Sequence, residues 1–220
     1  MRMHVELWVD LVCPWCPIGR RRLERAVVGL GHRFEDTVSL RSLPLPPPVP
    51  YRAGRLLPAH VAAAGMTHRQ VQQRIAYVTE LAAAEGLEYH LDKARPVDTF
   101  DAHGLTHWAD RRGLRPTLTE RLARAFTGEG IDLSAHTTLA ALAAEVGLDA
   151  DEAATVLAGD AFADHVHAEE RRARLLGAAG VPFLAVQGRP CSGGVPETDE
   201  LARLLGPILR TLPGPGPADS

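Results

Sequence analysis

The chain has 220 residues, of which 45% are hydrophobic and 23% charged, with a net charge of −3. That balance describes a globular protein and gives no electrostatic reason to expect binding to nucleic acid or an anionic membrane surface. The length is generous for one simple domain and short for two, so one core carrying a large insertion is expected.

The first element is a strand over residues 4–9, where Val5, Leu7 and Val9 alternate with Glu6 and Trp8. The N-terminal stretch reads as this strand rather than as an export signal, because it lacks a long apolar core and a small-residue cleavage site. No apolar run is long enough to span a membrane. With an odd cysteine count of 3, these features imply a reducing cytoplasm rather than a disulfide scaffold.

The stretch VDLVCPWCPIGRRRLERAV, residues 9–27, follows. It places Cys13 and Cys16 three positions apart, between a strand and a helix that ends before Gly29 and Gly31. With Cys13 at the N-cap and Pro14 at the first helical position, the helix terminus would stabilise a thiolate at Cys13. Cys16, one turn on, could then reach the Cys13 sulfur. Pro17 would stand at the fourth helical position and forfeit the first helical hydrogen bond, so an irregular helix start is expected. Zinc is the competing reading, but a closed site needs about four ligands. A second pair would have to come from Cys191 and one of the ten histidines, and no metal is expected. Inert buried thiols are the other alternative. Arg20, Arg21, Arg22 and Arg25 read as a solvated helix face, and Trp8 and Trp108 as packing residues.

TVSLRSLPL, residues 37–45, is the second strand, and the proline-rich segment at 44–58 stops regular structure. From 58 to 177 only helical signals appear. Thr67 with Gln70 forms a capping box ahead of a stripe at Val71, Ile75, Val78 and Leu81. Thr117 with Glu120 and Asp149 with Glu152 open further helices, and a long one runs from about Asp160 to Gly177. The chain returns to strand at VPFLAV, residues 181–186, turns at Gln187–Gly188, and continues through RPCSGG, where Cys191 reads as a small apolar residue. A helix over about 198–212 and a disordered tail over 213–220 complete the order.

Four segments, in order along the chain, carry a family resemblance: WVDLVCPWCPIGRRRLERAV, VDTFDAHGLTHWA at 97–109, AGVPFLAVQGR at 179–189 and SGGVPETDELARLL at 192–205. Together they resemble the DsbA-like thioredoxin-fold oxidoreductases, within them the FrnE-like branch. The resemblance implies an α/β thioredoxin fold in βαβ and ββα halves with an inserted all-helical domain. The halves are then 1–57 and 178–212, and the insert is 58–177. It also implies thiol-disulfide exchange with Cys13 as nucleophile and Cys16 as resolving thiol. Pro182, following a cis bond, would face the sulfurs, while Val181 offers backbone groups to substrate. Pro14 and Trp15 lie inside the motif, and Trp15 could shade the thiolate or touch substrate. Asp10 is either a proton relay for Cys16 or a loop-start cap, and His103 would line the cleft between domains. The insert would leave and return on one side of the sheet as a lid over Cys13. No cofactor is implied beyond the redox-active pair, although a low-molecular-weight thiol could serve as co-substrate. The partners implied are protein or small-molecule thiols and disulfides, and a homodimer is left open. The same fold also hosts glutathione-dependent isomerases and transferases of the kappa type, and a non-catalytic partner- or metal-binding module is the remaining alternative.

Overall fold

The structure is a computed structural model describing residues 5–209. The expected tail over 213–220 lies outside the described residues, as do the last positions expected for the final helix. Strand β1 (Val5–Val9) is followed by helix α1 (Trp15–Gly29), the short helix α2 (Phe34–Thr37) and strand β2 (Val38–Ser42). Seven helical segments follow: α3 (Leu57–Ala63), α4 (His68–Ala84), α5 (Phe100–Asp110), α6 (Arg115–Arg124), α7 (His136–Glu145), α8 (Ala150–Leu157) and α9 (Ala163–Leu175). Strands β3 (Phe183–Val186) and β4 (Arg189–Gly193) and helix α10 (Thr198–Leu209) close the chain. This is the thioredoxin fold with an inserted helical domain.

The sheet order is β2-β1-β3-β4. Strand β1 pairs parallel to β2, with Leu7 opposite Leu40, and antiparallel to β3, with Leu7 opposite Leu184. Gln187 and Gly188 both take positive φ, at 52° and 72°, which gives the two-residue β3–β4 turn the twist of its strands. Central strand β1 is buried throughout. Val5, Leu7 and Val9 pack with Leu23 and Val27 of α1 and Leu201 and Leu205 of α10. Trp8 points the other way, onto Phe183 and Ala173. The alternation therefore separates two covered faces rather than core from solvent.

Several sequence signals hold in the insert. Thr67 and Gln70 exchange both capping bonds, and the Asp149 carboxylate accepts the Glu152 N–H at 2.8 Å. Thr117 does not cap: α6 begins two residues earlier with Pro116 in its first turn, and Glu120 instead pairs with Arg20 and Arg21. Residues 87–99 are irregular rather than helical and bury Tyr89 and Leu91, and a π-helical turn, Ala125–Glu129, follows α6. Helix α2 was also not signalled.

Each arginine of the α1 run meets a carboxylate of the insert, although Arg25 stays exposed. Arg22 is 4% exposed, with its Nε 2.7 Å from Glu85 at the end of α4 and its Nη1 3.0 Å from the Val195 carbonyl. Arg25 also pairs with Glu85, and Arg20 and Arg21 bind Glu120 of α6. These guanidinium groups fasten α1 to the insert, which explains a basic run that composition alone assigns to solvent.

The insert does not leave and return on one side of the sheet. Helices α4 and α6 reach α1, whereas α9 lies on the opposite, Trp8-bearing face. A buried ionic cluster fixes that second contact. Glu169 of α9 accepts from Arg115 at 2.6 Å, from the Ser42 N–H at 2.6 Å and from Arg41 at 2.9 Å, with His107 Nε2 at 3.2 Å. Arg41 and Arg172 in turn hold Glu6, which is 1% exposed. Burial opposes ionisation of Glu169, but His107, Arg115 and the Ser42 N–H outweigh it and hold the carboxyl well below the usual range.

A carboxyl depressed in the folded state stabilises the fold above its unfolded value, about 4.3, and that stability is lost as pH falls toward the folded value. Glu169→Gln is expected to cost about 3 kcal/mol at neutral pH, since it strands buried cations. It should also remove part of the native protein's decline in stability below about pH 4.3. Denaturant unfolding of both proteins across pH measures the two effects, and parallel curves differing by less than about 1 kcal/mol would contradict this account.

Candidate active site

Strand β1 ends at Val9, and the turn that follows delivers the CPWC segment. The Asp10 carbonyl accepts the Cys13 N–H at 3.2 Å, and the Cys13 carbonyl accepts the Cys16 N–H at 3.1 Å. Helix α1 starts one residue later than the spacing predicts: Pro14 is the N-cap, Trp15 the first helical residue and Pro17 the third. Pro17 therefore costs no helical bond, because the first N–H groups of a helix have no internal partner. The Cys13 carbonyl takes the Cys16 N–H in its place.

The two cysteines occupy unequal environments. Cys13 is partly exposed, whereas Cys16 is 3% exposed beneath it. Burial pushes the Cys16 thiol well up, and the adjacent Cys13 sulfur pushes the same way, against a smaller lowering by a hydrogen bond to the Asp10 backbone. Cys191 in β4 is partly buried among apolar neighbours of the sheet core, and burial raises its thiol as well.

The Val181–Pro182 peptide is cis. The Val181 carbonyl lies 3.7 Å from Cys13 Sγ, joining residues 168 positions apart. Pro182 itself is buried against α1, where a Cβ on Gly19 would meet its Cγ at 3.0 Å. The sulfur is thus met by the Val181 carbonyl, while the close contact of Pro182, which was expected to face the sulfurs, is with Gly19 further along α1.

Asp10 is 3% exposed, and both carboxylate oxygens are engaged. Oδ1 accepts the Thr99 hydroxyl at 2.7 Å and Oδ2 the Leu45 N–H at 3.0 Å. Its carbonyl braces the cysteine turn while its side chain ties the linker and α5 to the site. His103 is 1% exposed, with Nε2 3.5 Å from Asp10 Oδ1 but in no hydrogen bond. It lies behind Asp10 and lines neither cleft beside the cysteines, contrary to expectation, because its position on α5 points into the core between the domains.

Tyr89, Thr99 and Gly19 were not foreseen. The Tyr89 hydroxyl donates to the Pro14 carbonyl at 2.7 Å and so anchors the residue between the cysteines. Burial, and then the cysteines, push that hydroxyl up and keep it a donor. Nothing local marks Tyr89, since it sits in an irregular segment. Gly19 had a usable signal: glycine inside a helix is unfavourable and often marks a close backbone approach.

Two clefts flank the motif. One of about 320 Å³ opens at Cys13 and is walled by Trp15, the linker prolines and α3 and α4. The other, about 490 Å³, lies behind Cys16 between α1, α6 and the segment at 86–90. Trp15 packs into the insert core, with its ring 6.1 Å from that of Tyr77 on α4.

In a Cys191→Ala background, Cys13 should alkylate on the order of a hundredfold faster than Cys16 at neutral pH, measured in the Cys16→Ser and Cys13→Ser proteins. Equal rates would contradict the asymmetry. Gly19→Ala should destabilise by about 1–3 kcal/mol through overpacking against Pro182, where a free helical site would gain about 0.5–1 kcal/mol. A stabilised variant in thermal unfolding would show that the contact is not tight.

A family model described as the DSBA-like thioredoxin domain matches residues 4–206. Among solved structures, a probable DsbA oxidoreductase from Streptomyces coelicolor is 32% identical, with a TM-score of 0.87 over 99% of this chain and 94% of that one. The cytosolic disulfide reductase DsbM from Pseudomonas aeruginosa, solved with GSH, is 20% identical, with a TM-score of 0.64 over 94% and 99% of the two chains. A 2-hydroxychromene-2-carboxylate isomerase is 16% identical, with a TM-score of 0.60 over 94% and 95%. At those identities the last two show likeness of fold alone. No curated protein matches. With a family model spanning nearly its whole length, the chain belongs to the DsbA-like thioredoxin-domain family.

Proposed function

We propose that the protein is a thiol-disulfide oxidoreductase working through Cys13 and Cys16 in a reducing, cytoplasmic setting. The observation that carries this reading is the graded burial of the pair. Cys13 lies beside the Val181 carbonyl and opens to a cleft, and Cys16 waits beneath, where burial pushes its thiol up. A Cys13 thiolate attacks a disulfide sulfur, the substrate S–S bond breaks, and one substrate thiolate leaves. Cys16 then loses its proton and attacks Cys13 Sγ, which releases the second thiolate. The substrate gains two electrons and the pair becomes a disulfide; the reverse sequence oxidises a dithiol.

The backbone carbonyl of Val181 beside Cys13 is suited to pairing with an extended segment that carries the reacting sulfur. The order of the VDTFDAH and VPF segments supports placement in the FrnE-like branch. The kappa-type reading, a glutathione-dependent isomerase or transferase, has a fold relative in the isomerase above. A second thiol poised under the first favours exchange over that chemistry. A non-catalytic or metal-binding module would leave the unequal burial of the pair without a use.

A redox titration of the native protein against a dithiol buffer, followed by tryptophan fluorescence, tests the proposal. One two-electron transition, absent from Cys13→Ser, is expected. With Pro14 and Trp15 between the cysteines, no intervening histidine hydrogen-bonds a Cys13 thiolate. The reduced form is then less favoured than in DsbA, and the potential should lie below about −120 mV. A transition that survives in Cys13→Ser would refute the proposed pair, and a potential at or above that of DsbA would refute the account of its tuning.

A further inference from the structure

The cleft at Cys13 has mostly apolar walls, contributed by the linker prolines, Leu57 and Val61 of α3, and α4. Helix α4 presents Val71, Arg74, Ile75 and Val78 to it, a spacing that puts all four on one helical face. Among the described residues, Asp10 and Arg74 are the two aspartate, glutamate, lysine or arginine side chains that line the cleft. Asp10 is buried with both oxygens already bonded. Arg74 is exposed and, among the described residues, has no ion pair or hydrogen bond. Its situation differs from that of Arg20, Arg21, Arg22 and Arg25, each of which binds a carboxylate. Burial, then Asp10 and Asp98, push Tyr51 up to about 12, and burial followed by Arg55 pushes His60 down.

A guanidinium without a partner, on the apolar wall beside a nucleophilic sulfur, is a binding point for a carboxylate. The volume, about 320 Å³, is at the small end of the range for small-molecule sites. Resting on the thiol-disulfide reading above, we propose that Arg74 is the specificity-determining residue of this site and selects a small disulfide or thiol bearing a carboxylate. The carboxylate pairs with Arg74 while the rest of the molecule lies along the apolar wall with its sulfur at Cys13. The exchange itself is balanced as before: Cys13 forms a mixed disulfide as one anionic thiolate leaves, and Cys16 displaces the second.

The test compares two small disulfides as oxidants of the reduced protein: dithiodiglycolate, with a carboxylate at each end, and neutral hydroxyethyl disulfide. Second-order rate constants for loss of the Cys13 and Cys16 thiols are read by acid quenching and mass spectrometry for the native protein, Arg74→Gln and Arg74→Lys. Arg74→Gln should slow dithiodiglycolate about tenfold and hydroxyethyl disulfide less than about twofold, and Arg74→Lys should recover part of the loss. Added salt should narrow the native preference. Equal slowing of both disulfides, or of neither, would overturn the role of Arg74 while leaving the redox reading intact. A native protein whose thiols react with neither disulfide would overturn the redox reading itself.

Discussion

Pro182 rests on Gly19 more closely than a Cβ there would ordinarily permit, and the placement of the redox site depends on this contact. The motif helix supplies the cysteines but cannot supply the backbone that faces them. That backbone comes from the start of β3, 168 positions away, and arrives because the two halves of the sheet pair through β1 and β3. A chain that must close over so long an intervening segment loses entropy only slowly with segment length. The helical insert is therefore thermodynamically tolerable at this point, provided it is fastened where it returns.

Charged side chains do the fastening. Arg22 and Arg25 meet Glu85 on the α1 side, while Glu169, Arg115, Arg41 and Glu6 meet on the opposite face of the sheet. Buried ion pairs lose much of their attraction to desolvation, but their geometry is demanding, and breaking one leaves a stranded charge. They fix the orientation of the insert, and with it the walls of the cleft at Cys13. Leu11 and Ile18 tie the motif segment to the insert's core, while Cys16 is buried in the sheet core with Leu7, Val9 and Leu23.

The order of strands and helices was readable from period-two and period-3.6 patterns, since central strands and amphipathic helices must each cover an apolar face. The CPWC and Val-Pro-Phe segments were readable because their backbone requirements are local. Long-range charge pairing was not. Glu6 in a central strand and four arginines on one helix look solvent-facing until Arg41, Arg172, Glu85 and Glu120 are placed against them. The helix start was misread by one residue because Pro14 and Pro17 are each acceptable at more than one position of a first turn. His103 was assigned to a cleft although sequence gives no direction for a side chain on a helix buried on several sides. Tyr89 left no trace, because its role depends on one carbonyl reached across the domain boundary.

The central claim is that Cys13 is the attacking sulfur and Cys16 the one that releases substrate. Trapping tests it most directly. The Cys16→Ser protein, mixed with a small disulfide, quenched and digested, is predicted to carry one mixed-disulfide adduct, on the peptide containing Cys13, while the native protein under the same conditions carries none and shows a Cys13–Cys16 disulfide. An adduct found on Cys191 instead, or one that persists equally in the native protein, would contradict the account.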